Sequence, residues 1–250
     1  MSSELVPASR LPLPELAALF TASFEGYAVP MDVDGPALAR MVELYDLDLE
    51  ASRVALRGGR PVGLANLGIR GDVAWIGGMG VVRDTRRRGT GELLMHAVHE
   101  QARARGVREV VLEVIESNEA AGALCRKLGY EHVRQLELWS LDGEPAQSAV
   151  REVAPDEAHG CVRELRREPE PWQRDDATLE RLLAAGADLR GLLADGGAAV
   201  LRVTAGGGAI EQLAAADTAS AASIRRCSFG AAPSSSSSEP SPRAIVSPSM

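Results

Sequence analysis

Val81-Val-Arg-Asp-Thr-Arg86-Arg-Arg-Gly89-Thr-Gly91-Glu-Leu-Leu-Met95 runs from the end of an apolar strand, through a basic loop, into an amphipathic helix. Glycines at 89 and 91 let the main chain approach a ligand closely. The first N–H groups of the helix have no partner inside it, and with the helix dipole they make a site for an anion such as a pyrophosphate. Arg86, Arg87 and Arg88 add positive charge. Leu93, Leu94, Ala97, Val98 and Ala102 recur at helical spacing and set the inward face of a helix over about 91–105.

Upstream, three apolar runs, 53–56, 61–69 and 73–82, are separated by Gly58-Gly59 and Gly71-Asp72 and read as an antiparallel meander. Gly77, Gly78 and Gly80 in the last run mark a bulge, because glycine weakens a regular strand. Two helices precede the meander, one over about 14–24 and one that starts after Asp34-Gly-Pro36, where an Asp cap and an early proline suit a helix start. Downstream come a strand over 109–115, a helix over 118–128 and an alternating strand over 132–141. This order specifies an α/β fold of the α+β type, a mixed sheet with helices on its faces.

Two linked motifs carry a family resemblance. Arg86-Arg-Arg-Gly89-Thr-Gly91 resembles the acetyl-CoA loop, [Q/R]-x-x-G-x-[G/A], of the GNAT superfamily of N-acetyltransferases. Asn118-Glu-Ala-Ala-Gly-Ala-Leu-Cys-Arg-Lys-Leu-Gly-Tyr130 resembles that family's N-x-x-A-x-x-L-Y-x-x-x-G-[F/Y] helix, in the expected order and structural setting. The similarity spans about 4–141 and implies the GNAT acyl-CoA N-acyltransferase fold. It further implies acetyl-CoA as co-substrate, with pantetheine against the main chain of Met79 to Val82, Met79, Val81 and Val82 included, where the sheet splays open after the fourth strand. Arg86, Arg87, Arg88, Gly89, Thr90, Gly91, Glu92 and Leu93 are implied to cradle the pyrophosphate, and Asn118 to touch the pantetheine arm. An N–H near Met79 or Gly80 is implied to steady the thioester oxygen as charge develops on it.

The sequence departs from the family at Cys125, where most relatives carry the tyrosine that protonates the leaving thiolate. A cysteine, with an ordinary pKa of about 8.5, can donate that proton, and it can equally pack as a small buried thiol. Glu113 and Glu116 are the candidates for the base that deprotonates the amine; Glu113 points either to the cleft or to solvent according to register. The loop Phe24-Glu-Gly-Tyr27-Ala-Val-Pro30-Met-Asp-Val-Asp34 joins the helices that overlie the acceptor site in this family. Its aromatics and acids suit a cationic amine with an apolar body, and they serve equally as a hydrophobic staple and helix cap.

The 250 residues, 45% hydrophobic, suffice for one large or two small domains. Lys+Arg 27 against Asp+Glu 35 gives a net charge of −8, which opposes general binding to nucleic acid or to an anionic membrane, Arg83 and Arg86 to Arg88 notwithstanding. Triphosphate-loop, HExxH and GxSxG patterns are absent. His96 and His99 sit three apart on one helix without a third ligand, so an exposed face is expected and no metal. The start of the chain lacks a secretory pattern and no run of apolar residues is long enough to span a bilayer, from which a cytoplasmic location is expected. The polar stretch 142–148 suggests a boundary near 145.

After that boundary, 146–230 gives two helix-like stretches and three short strands, and Leu192-Leu-Ala-Asp-Gly-Gly-Ala-Ala-Val-Leu201 echoes Val54-Ala-Leu-Arg-Gly-Gly-Arg-Pro-Val-Gly63. A second, smaller, degenerate α/β domain of the same kind is expected, without a CoA loop. Its expected role is to complete the sheet, wall the acceptor cleft or mediate association, a homodimer included. The Ser/Pro-rich segment 231–250 is expected to be disordered. The function these readings imply is acetyl transfer to a primary amine of a small molecule or peptide. The alternative is a non-catalytic CoA-binding or regulatory module of the same fold.

Overall fold

The computed structural model describes residues 3–28, 31–136, 150–204, 207–216 and 242–246. In chain order the elements are β1 (Glu4–Pro7), α1 (Leu13–Ser23), α2 (Gly35–Leu44), β2 (Arg53–Arg57), β3 (Arg60–Arg70), β4 (Val73–Val81), α3 (Thr90–Ala104), β5 (Glu109–Ile115), α4 (Glu119–Lys127) and β6 (Glu131–Gln135). They continue with β7 (Arg151–Val153), α5 (Pro155–Leu165), α6 (Asp176–Ala184), β8 (Leu189–Ala194), β9 (Gly197–Thr204), β10 (Gly207–Ala215) and β11 (Pro242–Val246). The chain divides into two units, Met1–Leu138 with Glu239–Met250, and Trp139–Ser238. The first unit thus closes before the expected boundary at 145 and takes back the end of the chain.

The first unit is a mixed sheet in the order β1-β2-β3-β4-β5-β11-β6, antiparallel except for the parallel β4–β5 pair. Alternation along the strands sorts side chains onto its two faces. On one, Val54 and Leu64 pack beneath Leu16, Phe20 and Leu38 of α1 and α2. On the other, Ala65, Leu67, Val110 and Leu112 pack beneath Leu94, Met95, Val98 and Cys125 of α3 and α4. The start of α2 is as expected: Asp34 accepts from the Ala37 N–H at 2.7 Å, with proline in the first turn.

Two strands were not expected. β1 has four residues and ends in a proline, too little for a periodicity, and its sheet position comes from pairing with β2. The expectation of disorder over 231–250 fails at Pro242–Val246, which forms β11 between β5 and β6. Arg243-Ala-Ile-Val246 is a β-prone run hidden in Ser/Pro-rich surroundings, and it finds order through two ladders rather than through its own composition. The last part of the strand expected over 132–141, the linker 142–148, Cys227 and the remainder of 231–250 lie outside the described residues.

The second unit has a four-stranded antiparallel sheet, β10-β9-β8-β7, with two helices between its first and second strands. That repeats the order of β1 to β4 with α1 and α2. The sequence echo falls on equivalent hairpins, β2–β3 turning at Gly58-Gly59 and β8–β9 at Asp195-Gly196.

Candidate active site

The parallel ladder between β4 and β5 holds only from Val73, Ala74 and Trp75 to Glu109, Val110 and Val111. Beyond it β4 continues to Val81 and β5 to Ile115 without pairing to each other, so the sheet opens into a cleft there. The cause lies partly in a bulge: Ala65 faces Met79 and Leu67 faces Ile76, so Gly77 and Gly78 oppose the single residue Asn66. A bulge bends its strand and raises the local twist, which carries β4 away from β5.

The glycines there serve packing. A Cβ on Gly77 would run into the Trp75 ring, one on Gly78 (φ +136°) would lie 2.7 Å from Phe20, and one on Gly80 2.7 Å from the Ser23 side chain. Three glycines therefore let α1 and Trp75 close onto the bulge. Alternation turns the main chain of Met79 and Val81 to the open edge of β4, whereas the Val82 N–H donates back to Val62 of β3 at 2.9 Å. Of the stretch expected along the pantetheine arm, the Val82 N–H is thus engaged within the sheet.

At the end of the cleft α3 begins with Gly89 as its N-cap in the left-handed region (φ 79°) and with no side chain capping it, so its first N–H groups point outward. Arg87 is also left-handed (φ 60°). Arg87 and Arg88 are exposed beside this turn. The Arg86 guanidinium donates to the carbonyls of Val81, Ser23 and Glu25 at 2.8 to 3.0 Å, tying the end of α1 to β4. Thr90 is buried and accepts from Arg57 at 3.3 Å. Glu92 is an exposed partner of Lys127 at 2.7 Å, a link from α3 to α4, and that bond holds its carboxyl below the ordinary value. Leu93, expected inward, stays 38% exposed in the first turn. A Cβ on Gly91 would touch Leu124 and Met79, so these three line the floor between α3 and α4.

Asn118 caps α4, its Oδ1 accepting from the Ala121 N–H at 3.2 Å. Cys125 faces the core, 3% exposed, and burial pushes its thiol up to about 11. The packed-thiol alternative is the one its position supports. His99, expected on an exposed face, is buried and lies 2.6 Å from the Tyr130 hydroxyl; burial lowers it to about 4, and the nearby Arg103 and His96 add to the shift. His96 is exposed and 3.8 Å from Glu92. Among the described residues no group of three His, Cys, Asp or Glu is placed to hold a metal ion, and no helix is long and apolar enough to cross a membrane.

Glu113 alternates with Leu112 and Val114 of the core, so it lies on the α1/α2 face. Its carboxylate accepts from the Trp75 indole N–H at 2.8 Å. Trp75 was missed by sequence reasoning, because nothing in a single strand announces a partner 38 residues away; its ring packs edge-on to Tyr45 at 5.6 Å and covers Gly77. Above this floor Phe20, Phe24 and Tyr27 form an aromatic series with centroid spacings of 4.7 and 5.2 Å. The outer side of α1 and the loop after it line a groove of about 890 Å³ that includes Phe24, Glu25, Tyr27, Asp32 and Asp34.

This opened sheet with a glycine turn at a helix start is the arrangement that the resemblance implies. The comparisons narrow the class. Residues 15–130, most of the first unit, match the model of the acetyltransferase (GNAT) family. A candidate acetyltransferase from Pyrococcus horikoshii is similar in fold at 19% identity and a TM-score of 0.68, over 99% of this chain and 90% of its own. A GCN5-related N-acetyltransferase from Sphaerobacter thermophilus gives 15% identity and a TM-score of 0.67, over 98% and 95%. No curated protein matches the chain significantly.

Proposed function

We propose that this protein transfers the acetyl group of acetyl-CoA directly to a primary amine of a small molecule or peptide. The observation that carries the proposal is the end of the β4–β5 ladder at Trp75 and Val111, next to the uncapped start of α3. The arrangement fits the co-substrate. Outward N–H groups at the start of α3, with Arg87 and Arg88 beside them, suit a pyrophosphate. The outward main chain of Met79 and the Val81 N–H suit an amide-bearing arm that pairs like an added strand, the Val81 carbonyl being bonded to Arg86.

In this reading the Met79 N–H lies where it can stabilise negative charge on the thioester oxygen, a contribution that grows as water is excluded. Glu113 sits on the acceptor face with its carboxylate oriented by Trp75, and it takes the proton from the attacking ammonium, directly or through a water. The acidic groove beside α1 attracts a cationic acceptor. One observation favours a second reading, CoA binding without turnover: the residue at the position of the family's tyrosine is a buried cysteine.

A titration of thermal stability with acetyl-CoA, desulfo-CoA and ATP tests the donor site. Both CoA ligands should raise Tm, by about 2.7 kcal/mol of added stability at a hundredfold excess over Kd, and ATP should not. Thiol release across a panel of amines then separates the two readings. An unchanged Tm at millimolar acetyl-CoA overturns both.

A further inference from the structure

The opening between β4 and β5 has two walls, and they are held differently. β4 is paired along its length with β3, from Val73 opposite Arg70 to Val81 opposite Gly63. β5 is paired with β4 only from Glu109 to Val111, and from Val111 to Ile115 its ladder partner is β11, running from Val246 back to Pro242. The two ladders meet at Val111 and divide the strand between them. Glu113 lies in the part that has left β4, opposite Ala244. Among the described residues no other strand pairs with residues 112–115, since β6 is paired with β11 and not with β5. The wall that carries Glu113 is thus laddered to the last strand of the chain alone.

Glu113 therefore has two holds of different kinds. The Trp75 indole fixes the direction of its carboxylate at 2.8 Å, and the ladder with β11 fixes the main chain that carries it. Leu112 and Val114 pack in the core on the other face, in contacts that are non-directional and let a strand slide sideways. β11 itself has five residues, with proline at its first position and Ser247-Pro248 directly after it, so its ladder has no room to lengthen. Its pairing with β6 is irregular: Ala244 faces Arg134 and Ile245 faces His132, which leaves Val133 unmatched. A short strand bounded by prolines and regular on one side only is able to leave and return as a unit.

We propose that β11 is a positioning strand for the transfer and a switch on it: seated against β5 it holds Glu113 at the opening, and unseated it stops acceptor turnover while acetyl-CoA still binds. The inference rests on the acetyltransferase reading above and deepens it, adding how the acceptor side of that site is controlled. The donor side should not feel the change, since β4 stays laddered to β3 and α3 packs on β2, β3 and β4. The acceptor side should, because a base displaced by about an ångström no longer lines up with the proton it removes.

The test uses the full chain with Ala244→Pro, which removes a main-chain N–H from the middle of β11, and a synthetic peptide of residues 239–250. We expect kcat to fall by about ten- to a hundredfold with the acetyl-CoA-dependent rise in Tm retained. Added peptide should restore kcat in a saturable way, and the same peptide carrying proline at 244 should not. An unchanged kcat overturns the inference. So does a loss of kcat that the peptide fails to restore, and so does a joint loss of kcat and of the ligand-dependent rise in Tm. If Ala244→Pro does not fold, hydrogen exchange on the parent chain decides. The protected amides of residues 112–115 and 243–246 should then exchange together and faster than those between β3 and β4. Exchange at unrelated rates, or only along with the β3–β4 ladder, overturns the proposal. A parent chain that neither binds acetyl-CoA nor releases thiol overturns the transferase reading and this inference with it, a result marked by the parent's failure rather than the variant's.

Discussion

The two units begin with the same series of elements and diverge at their fourth strand. Both carry a bulge there. In the first unit it falls on Gly77 and Gly78; in the second the extra residue on β10 is Glu211, 5% exposed, whose carboxylate accepts from Arg202 at 2.7 Å. A glycine bulge lets a helix close down and leaves main chain facing an opening. A bulge built on a buried carboxylate places negative charge where a thioester oxygen would need a donor. Both units seat a helix on strand glycines, α1 on Gly78 and Gly80 and α5 on Gly191, where a Cβ would lie 2.8 Å from Ala158. The second unit adds Asp176 of α6, which is bonded to Arg166 at 2.8 and 2.9 Å, to His159 at 3.0 Å and to Gln212 at 3.3 Å. The same fold order thus carries a glycine bulge on its fourth strand in one unit and a bulge with a buried, Arg202-paired carboxylate in the other.

The largest effect that sharpens this contrast is expected from Gly80→Val. The added atoms meet Ser23 where no backbone can yield, so stability should fall by about 3 kcal/mol or more and the rise in Tm with acetyl-CoA should vanish. Denaturant unfolding with and without ligand checks it, and an unchanged midpoint would break the view that α1 is seated on these glycines.

Next in size is Asp176→Ala, which strands the Arg166 guanidinium and costs about 2 kcal/mol while the ligand-dependent rise in Tm survives. The bonds from Arg166 and His159 hold the Asp176 carboxyl well below the usual carboxylate range. Its stabilisation is therefore complete above the ordinary value near 4 and is lost as pH falls through the lowered one. An acid titration in which parent and variant fall together would remove Asp176 as the anchor.

His99 should have a somewhat smaller effect, in the first unit. Its folded value of about 4 lies below the unfolded one near 6.5, so the unfolded chain binds the extra proton between them, and stability declines as pH drops through that window. The loss is on the order of 2 kcal/mol once solvent screening is counted, and His99→Gln should flatten it in Tm measured from pH 7 to 4. The smallest effect is expected from Lys127→Ala. Its partner Glu92 is exposed, and Tm should not move measurably. A clear drop would show that the link between α3 and α4 matters more than its exposure allows.

How much of this was legible in the sequence follows from how local each cause is. The meander, the Asp34 cap, the bulge at Gly77-Gly78 and the glycine turn into α3 rest on neighbours a few residues apart, and each appears where the pattern placed it. The family motifs are local too, which is why the resemblance could be drawn before the fold. The work of the Arg86 side chain was not legible, because the carbonyls it bonds at the end of α1 lie some sixty residues earlier. His99 was misread because its partner, Tyr130, lies on another element.

By itself, then, the sequence determined the order of the elements, the turn chemistry and the basic glycine loop that opens α3, since these depend on backbone freedom and side-chain period within short windows. Only the tertiary structure decided which face Glu113 takes and that Trp75 orients it. It alone placed Cys125 in the core and brought Pro242–Val246 back as a strand beside β5. Each of these is a contact between residues distant in the chain, chosen by packing and by the need to pair buried polar groups, and no local pattern encodes the partner.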